Sequence, residues 1–109
     1  MGFRLTMMRF LVVYPTPIDV EQFDRHYFQV HVPIVKRFAK LRAYTVSRDL
    51  SAIRGHAGYH FVAELDWDDI ESLRHDFESE VGREAARDAA TLAELSPGMH
   101  SMTYELLSI

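Results

Sequence analysis

A side chain that takes and gives protons near neutral pH without a metal is an imidazole, and the 109-residue chain carries six histidines. His31, in the stretch FDRHYFQVHVP, is the one with chemical company. Tyr27 stands four residues before it, one helical turn away, and Tyr14 closes an apolar run upstream. A histidine with one or two phenols in an apolar cleft enolises or deprotonates a ketone or a phenol and holds the anion that results. A second reading stands beside that one: the ring satisfies a main-chain carbonyl where the helix is interrupted before Pro33. Read singly, Tyr14 and Tyr27 are amphipathic core residues, each burying a ring and placing its hydroxyl on a partner. Phe23 reads as packing, and Asp19 as a helix cap rather than an acid catalyst.

The remaining chemistry thins out quickly. At 100° per residue His26 turns away from the centre of the apolar stripe, and His75 and His100 lie far along the chain. His56 and His60 are four apart but straddle a loop and a strand, so helical ligand geometry does not apply to them. No carboxylates stand at matching spacing, and no metal site is expected. With no cysteine, disulfides, thiolate catalysis and sulfur-ligated zinc are excluded. The five glycines are scattered and none opens a phosphate loop, so no nucleotide or flavin cofactor is expected. No nucleophile-elbow serine is present. The net charge of −4, without a basic block, argues against nucleic acid as a partner. The mixed charges of RHDFESEVGREAARD read as a solvated helix face.

The elements that must position these residues follow from periodicity. Residues 6–14, TMMRFLVVY, place apolar side chains on both parities, as in a central strand covered on both faces. PTPID stops it, because prolines do not donate to a ladder. Asp19 then caps a helix whose face carries Val20, Phe23, Tyr27, Val30 and His31. Pro33 biases Val32 away from helical dihedrals, which predicts a break or kink at residues 31–33. Helix resumes through IVKRFAKL, with Pro33 in its first turn. RAYTVSRDL (42–50) and GYHFVAELDW (58–67) read as strands joined by a loose hairpin loop. Tyr59, Phe61, Ala63 and Leu65 share one face of the second strand. Asp68 and Glu71 have capping-box spacing ahead of a helix carrying Ile70, Leu73, Phe77 and Val81. Gly82 ends or bends it, REAARDAATLAEL forms a further helical piece, SPG breaks it, and MHSMTYELLSI closes the chain as a strand.

The order is β-α-β-β-α-β, the ferredoxin-like α+β arrangement: a four-stranded antiparallel sheet with helices on one face. The length and the absence of a linker fit a single domain over residues 1–109. Composition, 48% hydrophobic and 26% charged, is that of a soluble globular protein. FLVVY is too short to span a membrane, so no membrane partner is expected and the cytoplasm is the default location. Helices cover one sheet face, yet the first strand is apolar on both. The open face therefore calls for a partner, the simplest being the same face of a second copy in a homodimer.

YPTPIDVEQFDRHYFQVHVPIVKRF resembles the EthD family, small proteins of the dimeric α+β barrel superfamily named after a gene cluster for degrading ethyl tert-butyl ether. The resemblance rests on Tyr14-Pro15, then Asp19, Phe23, Tyr27 and His31 in steps of four, then Pro33. Asp88 is similar to an acidic position late in the family's chain. The segment AKLRAY departs from the Pro-Gly-Leu such proteins often carry before the second strand. What the resemblance implies is a dimer of face-to-face sheets with a cleft in each subunit between helices and sheet. Relatives in the superfamily include cofactor-free oxygenases, isomerases, decarboxylases, cyclases and stress proteins, so fold alone does not choose the reaction. Two functions are carried forward. One is a cofactor-independent enzyme on a small apolar carbonyl or phenolic compound, with His31 as general acid/base and Tyr14 and Tyr27 orienting the substrate or its anion. An oxidoreductase role in catabolism attaches only through the family's context. The other is a non-catalytic accessory protein that binds a small apolar metabolite.

Overall fold

A computed structural model describes residues 4–56 and 58–109. The strands are β1 (Arg4–Pro15), β2 (Ala43–Val46), β3 (Tyr59–Trp67) and β4 (His100–Ser108), and they form one antiparallel sheet in the order β2-β3-β1-β4. The expected ferredoxin-like α+β fold is the one observed. The helical layer consists of α1 (Val20–His26), a π-helical turn (Tyr27–His31), α2 (Val32–Val35), α3 (Ile70–Glu78) and α4 (Glu80–Leu95). No helix among the described residues is long and apolar enough to cross a membrane.

β1 is central, as its two apolar parities require. It pairs with β3 through Met8–Trp67, Phe10–Leu65, Val12–Ala63 and Tyr14–Phe61, and these side chains form the floor under the helices. Trp67, Tyr14, Tyr27 and Phe23 are the largest fully buried side chains. Tyr14, Phe23, Tyr27 and Phe61 pack ring on ring, with centroids 4.8–5.8 Å apart. Each such pair adds about 0.5–1.5 kcal/mol beyond its burial. Phe23 is packing, as read from the sequence. On the opposite face Leu11 lies across from Met102, and Arg9 across from Tyr104 and Asp66. Met102 and Tyr104 are exposed there. Arg9 binds Asp66 through two hydrogen bonds, Nε to Oδ1 at 2.8 Å and Nη2 to Oδ2 at 3.0 Å, with Glu64 at 3.5 Å. The pairing raises the guanidinium's pKa further.

Several boundaries differ from those expected, each for a local reason. The helix does not break at residues 31–33. Val32 is right-handed helical (φ −55°, ψ −47°), and its N–H reaches back five residues to the carbonyl of Tyr27. The extra residue in that turn widens it, which relieves the clash between a helical proline ring and the carbonyl four residues earlier. Helix then stops at Val35 rather than running through IVKRFAKL. The main-chain N–H of Lys40 is held instead by the Asp76 carboxylate, at 3.0 and 3.2 Å. β2 is confined to Ala43–Val46. The cap of α3 is Asp69, not Asp68: its carboxylate accepts from Ser72 N, which lowers its pKa. The Asp19 cap is as expected, accepting from Gln22 N at 3.1 Å.

Gly82 neither ends nor bends a helix. It lies in the first turn of α4, and the break falls at Ser79, which closes α3 and caps α4. The Ser79 hydroxyl donates to the Asp76 carbonyl (2.6 Å) and accepts from Gly82 N (3.0 Å). A Cβ on Gly82 would run into the carbonyl oxygens of Asp76 and Phe77. Gly82→Ala is therefore expected to destabilise the protein by about 3 kcal/mol, the upper range of steric overpacking, measured as a lowered urea midpoint at unchanged slope.

Candidate functional site

Between the sheet and α4 lies a cavity of about 270 Å³. Its floor is Phe10, Val12, Ala63 and Leu65, and its wall is Gly82, Ala85, Ala86 and Ala89, an i, i+3, i+4, i+7 stripe on which no side chain extends past Cβ. Its polar side chains are Tyr14, Tyr27, His31 and Tyr44, with Ser101. The three residues singled out in the sequence are thus brought together on one cavity. Among the described lining residues there is no lysine or arginine.

β1 delivers Tyr14, fixed where the buried Ser96 hydroxyl donates to the Pro15 carbonyl at 2.7 Å. The π-helical turn delivers Tyr27 and His31, whose rings lie 5.4 Å apart. β2 delivers Tyr44, whose hydroxyl is 2.6 Å from that of Tyr27. Two hydroxyls joined by one hydrogen bond use one proton between them, so the other remains to donate. Burial raises the pKa of all three phenols, with the neighbouring Tyr44 adding to the effect at Tyr14 and Tyr27. Tyr44 itself is pushed up to about 12. At neutral pH they are uncharged donors.

His31 is buried, and its partner is a side chain rather than a main-chain carbonyl: Nδ1 lies 2.9 Å from Asp88 Oδ2. An ionised carboxylate only accepts, so Nδ1 carries the hydrogen and Nε2 keeps its lone pair. Nε2 has no partner among the described residues, yet no buried side-chain nitrogen or oxygen among them lacks one. It therefore opens on accessible space, and the space that His31 lines is the cavity. Burial lowers the pKa of His31, while the Asp88 hydrogen bond and charge push back and a positive charge on His26 would lower it further. Asp88 also meets His26, Oδ1 to Nε2 at 2.7 Å.

Four residues escape the sequence reading or are misread by it. His26 lies off the cavity, as its place away from the centre of the stripe requires, but across the widened turn it and His31 both face Asp88. Asp88, matched through the resemblance to an acidic position of the family but placed by its mixed-charge run on a solvated face, has a side chain only 11% exposed. Asp76, from the same run, is fully buried and accepts from Trp67 Nε1 at 2.7 Å. Tyr44 carried a usable signal, since it and Val46 share the inward parity of β2. Among the described residues no three histidines or carboxylates converge as a metal-binding group. His60 is occupied by Asp24 at 2.6 Å, and His75 by Asp76 at 3.2 Å.

Comparison with known proteins follows the same lines. Residues 15–96 match the profile described as the EthD domain. An uncharacterized 11.0 kDa protein encoded in the thcB-thcC intergenic region of Rhodococcus erythropolis is 29% identical over 87 residues, which is 80% of this chain and 84% of that one. A crystal structure of an ethyl tert-butyl ether degradation family protein from Bacillus halodurans superposes with a TM-score of 0.80 at 27% identity, over 92% of this chain and 98% of that one. Two others share the fold alone. SnoaB from Streptomyces nogalater, a cofactor-independent oxygenase, has a TM-score of 0.67 at 16% identity, over 91% of each chain. A dimeric ferredoxin-like protein of unknown function from Thermobifida fusca has a TM-score of 0.68 at 14%, over 97% of this chain and 96% of that one.

The lowered pKa of His31 fixes a sign for stability. Between its native value and the unfolded value near 6.5, the unfolded chain binds the proton that the native site resists. Stability attached to His31 is therefore present above about 6.5 and lost as pH falls below it. Urea unfolding at pH 7.5 and 5.5 should show a smaller acid loss in His31→Gln than in the parent chain.

Proposed function

Because the chain belongs to the EthD domain family, we propose that it catalyses proton transfer without a cofactor on a small, largely apolar ketone or phenol, His31 serving as general acid/base. The observation that carries this reading is the His31 ring itself: its Nδ1 is held by a carboxylate and its Nε2 is left to a cavity edged by three neutral phenols. Nε2 takes a proton from the carbon next to a carbonyl, or from a phenol. The enolate or phenolate so formed lies where the Tyr27–Tyr44 pair has a hydroxyl proton to give, with Tyr14 beside it. Oxygenation, isomerisation and cyclisation all begin with this step, and the cofactor-independent oxygenase of the same fold is consistent with it. Substrates bearing carboxylate or phosphate are disfavoured, since the described lining offers no cation to meet them.

The protein acts as a homodimer in this reading. Leu11, Met102 and Tyr104 leave an apolar stripe on the sheet face opposite the helices, and a structural neighbour is described as dimeric. The same face of a second copy is its simplest cover.

Two measurements test the proposal. Exchange of the α-hydrogens of small aryl ketones into D2O, followed by NMR, should be accelerated by the protein and fall by about 10²–10⁴ in His31→Ala, the usual range for a general base. Binding that persists in His31→Ala with no exchange in either protein would instead assign a carrier. Leu11→Asp should convert dimer to monomer in light scattering, and a parent chain that is already monomeric would remove the dimer.

A further inference from the structure

A base that takes a proton in a closed apolar cavity acquires a charge there, and burial opposes that charge. His31 is 9% exposed, so its imidazolium has little water to support it. The counterion is Asp88, and Asp88 is shared. Each of its oxygens takes one imidazole: Oδ2 the cavity-lining His31 at 2.9 Å, Oδ1 the more exposed His26 at 2.7 Å. The His26 side chain is 23% exposed against 11% for both Asp88 and His31, so the three run from cavity toward solvent. One carboxylate balances one imidazolium, and a second would be a like charge across a single carboxyl group.

We propose that His26, Asp88 and His31 form a shared-charge relay, in which a proton arriving on His31 from the cavity is matched by a proton leaving His26 to solvent. The step balances. Starting from an imidazolium on His26, the bond from substrate to hydrogen breaks and Nε2–H forms on His31. Meanwhile an N–H of the His26 imidazolium breaks, its proton passes to water or buffer and a neutral ring is left. Asp88 stays ionised throughout, and the charge of the three residues remains zero. The anion left in the cavity then faces an imidazolium whose charge is already balanced. His26 and Asp88 are positioning residues that act through His31.

The other groups packed around the relay leave it to these three. On the cavity side His31 meets the neutral phenols Tyr14, Tyr27 and Tyr44. From α4, Glu84 is engaged by Arg37 at 2.9 Å. From α1, Asp24 is engaged by His60 at 2.6 Å. Asp88 raises the pKa of His31 and His26 lowers it, against the lowering by burial.

This inference deepens the proposed function by adding a proton exit to the same site, and its test separates the two. In the free protein, the relay is read by NMR titration of the His31 ring. His26→Gln keeps a hydrogen-bond partner for Asp88 but removes the like charge, so the His31 midpoint should rise by about one pH unit, the scale of strongly interacting sites. Asp88→Asn should lower it. An unchanged midpoint in His26→Gln overturns the relay, whether or not the protein turns anything over. A second measurement adds 4-nitrophenol below its own titration midpoint and follows phenolate absorbance together with protons released to buffer by calorimetry. The parent chain should form phenolate and release up to one proton, and His26→Gln should form phenolate without release. Equal release from both proteins overturns the relay. Absence of phenolate in both counts against His31 as the base and leaves the relay to stand or fall on the NMR midpoint.

Discussion

A proline that cannot donate a hydrogen bond sets the geometry of the site. Pro33 follows the first helix without a break because the preceding turn is wound through five residues instead of four. In that turn Val32 N–H reaches Tyr27 O, and the side chains of residues five apart come into line. His26 and His31 then face the same carboxylate on α4. In a regular α-helix they would diverge by about 140°, five residues at 100° each. The aromatic cluster beneath fixes the turn's height above the sheet, since Tyr27 packs on both Tyr14 and Phe61.

Two carboxylates do opposite kinds of work in the helical layer. Asp76 is fully satisfied by Trp67, by the Lys40 main chain and by His75, and it closes the turn that follows α2. Its two shortest contacts, the indole N–H and the Lys40 main chain, cannot change charge, and His75 touches it only from an exposed position. Asp88 is committed only to two titratable rings, one of which borders the cavity. A buried acid whose partners cannot change charge stabilises a fold, whereas one whose partners can change charge links the fold to proton concentration. The two lie twelve residues apart in a run of mixed charge that gives no local hint of the difference.

The fold was readable because its signals are local and periodic. Alternation on β3, the two-sided apolar run of β1 and the turn residues between elements suffice for the order of strands and helices. Tyr14, Tyr27 and His31 were readable as a group because they occupy one helix face and the strand end beside it. The pairing of His26 with Asp88 was missed because a fixed 100° step was applied across a turn that does not keep it. Asp88 and Asp76 were misplaced because a charged residue in a mixed run looks solvated until its long-range partners are known, 57 and 62 residues away for Asp88. The capping position slipped by one because Asp68 and Asp69 offer the same carboxylate, and only the path of the chain out of β3 decides between them.

The cavity exists because α4 presents side chains that stop at Cβ along one face. Gly82 is held to its size by the carbonyls at the end of α3, but Ala85, Ala86 and Ala89 are not part of the cluster of His31 and the three tyrosines. Such a wall separates two properties that are entangled in most binding sites. Lengthening an alanine by a few carbons reshapes the room available to a guest while the imidazole and phenols stay where the sheet and the widened turn put them. A lineage carrying this frame moves between guests of different bulk by single changes on one helix, with the polar side chains of the cavity left in place.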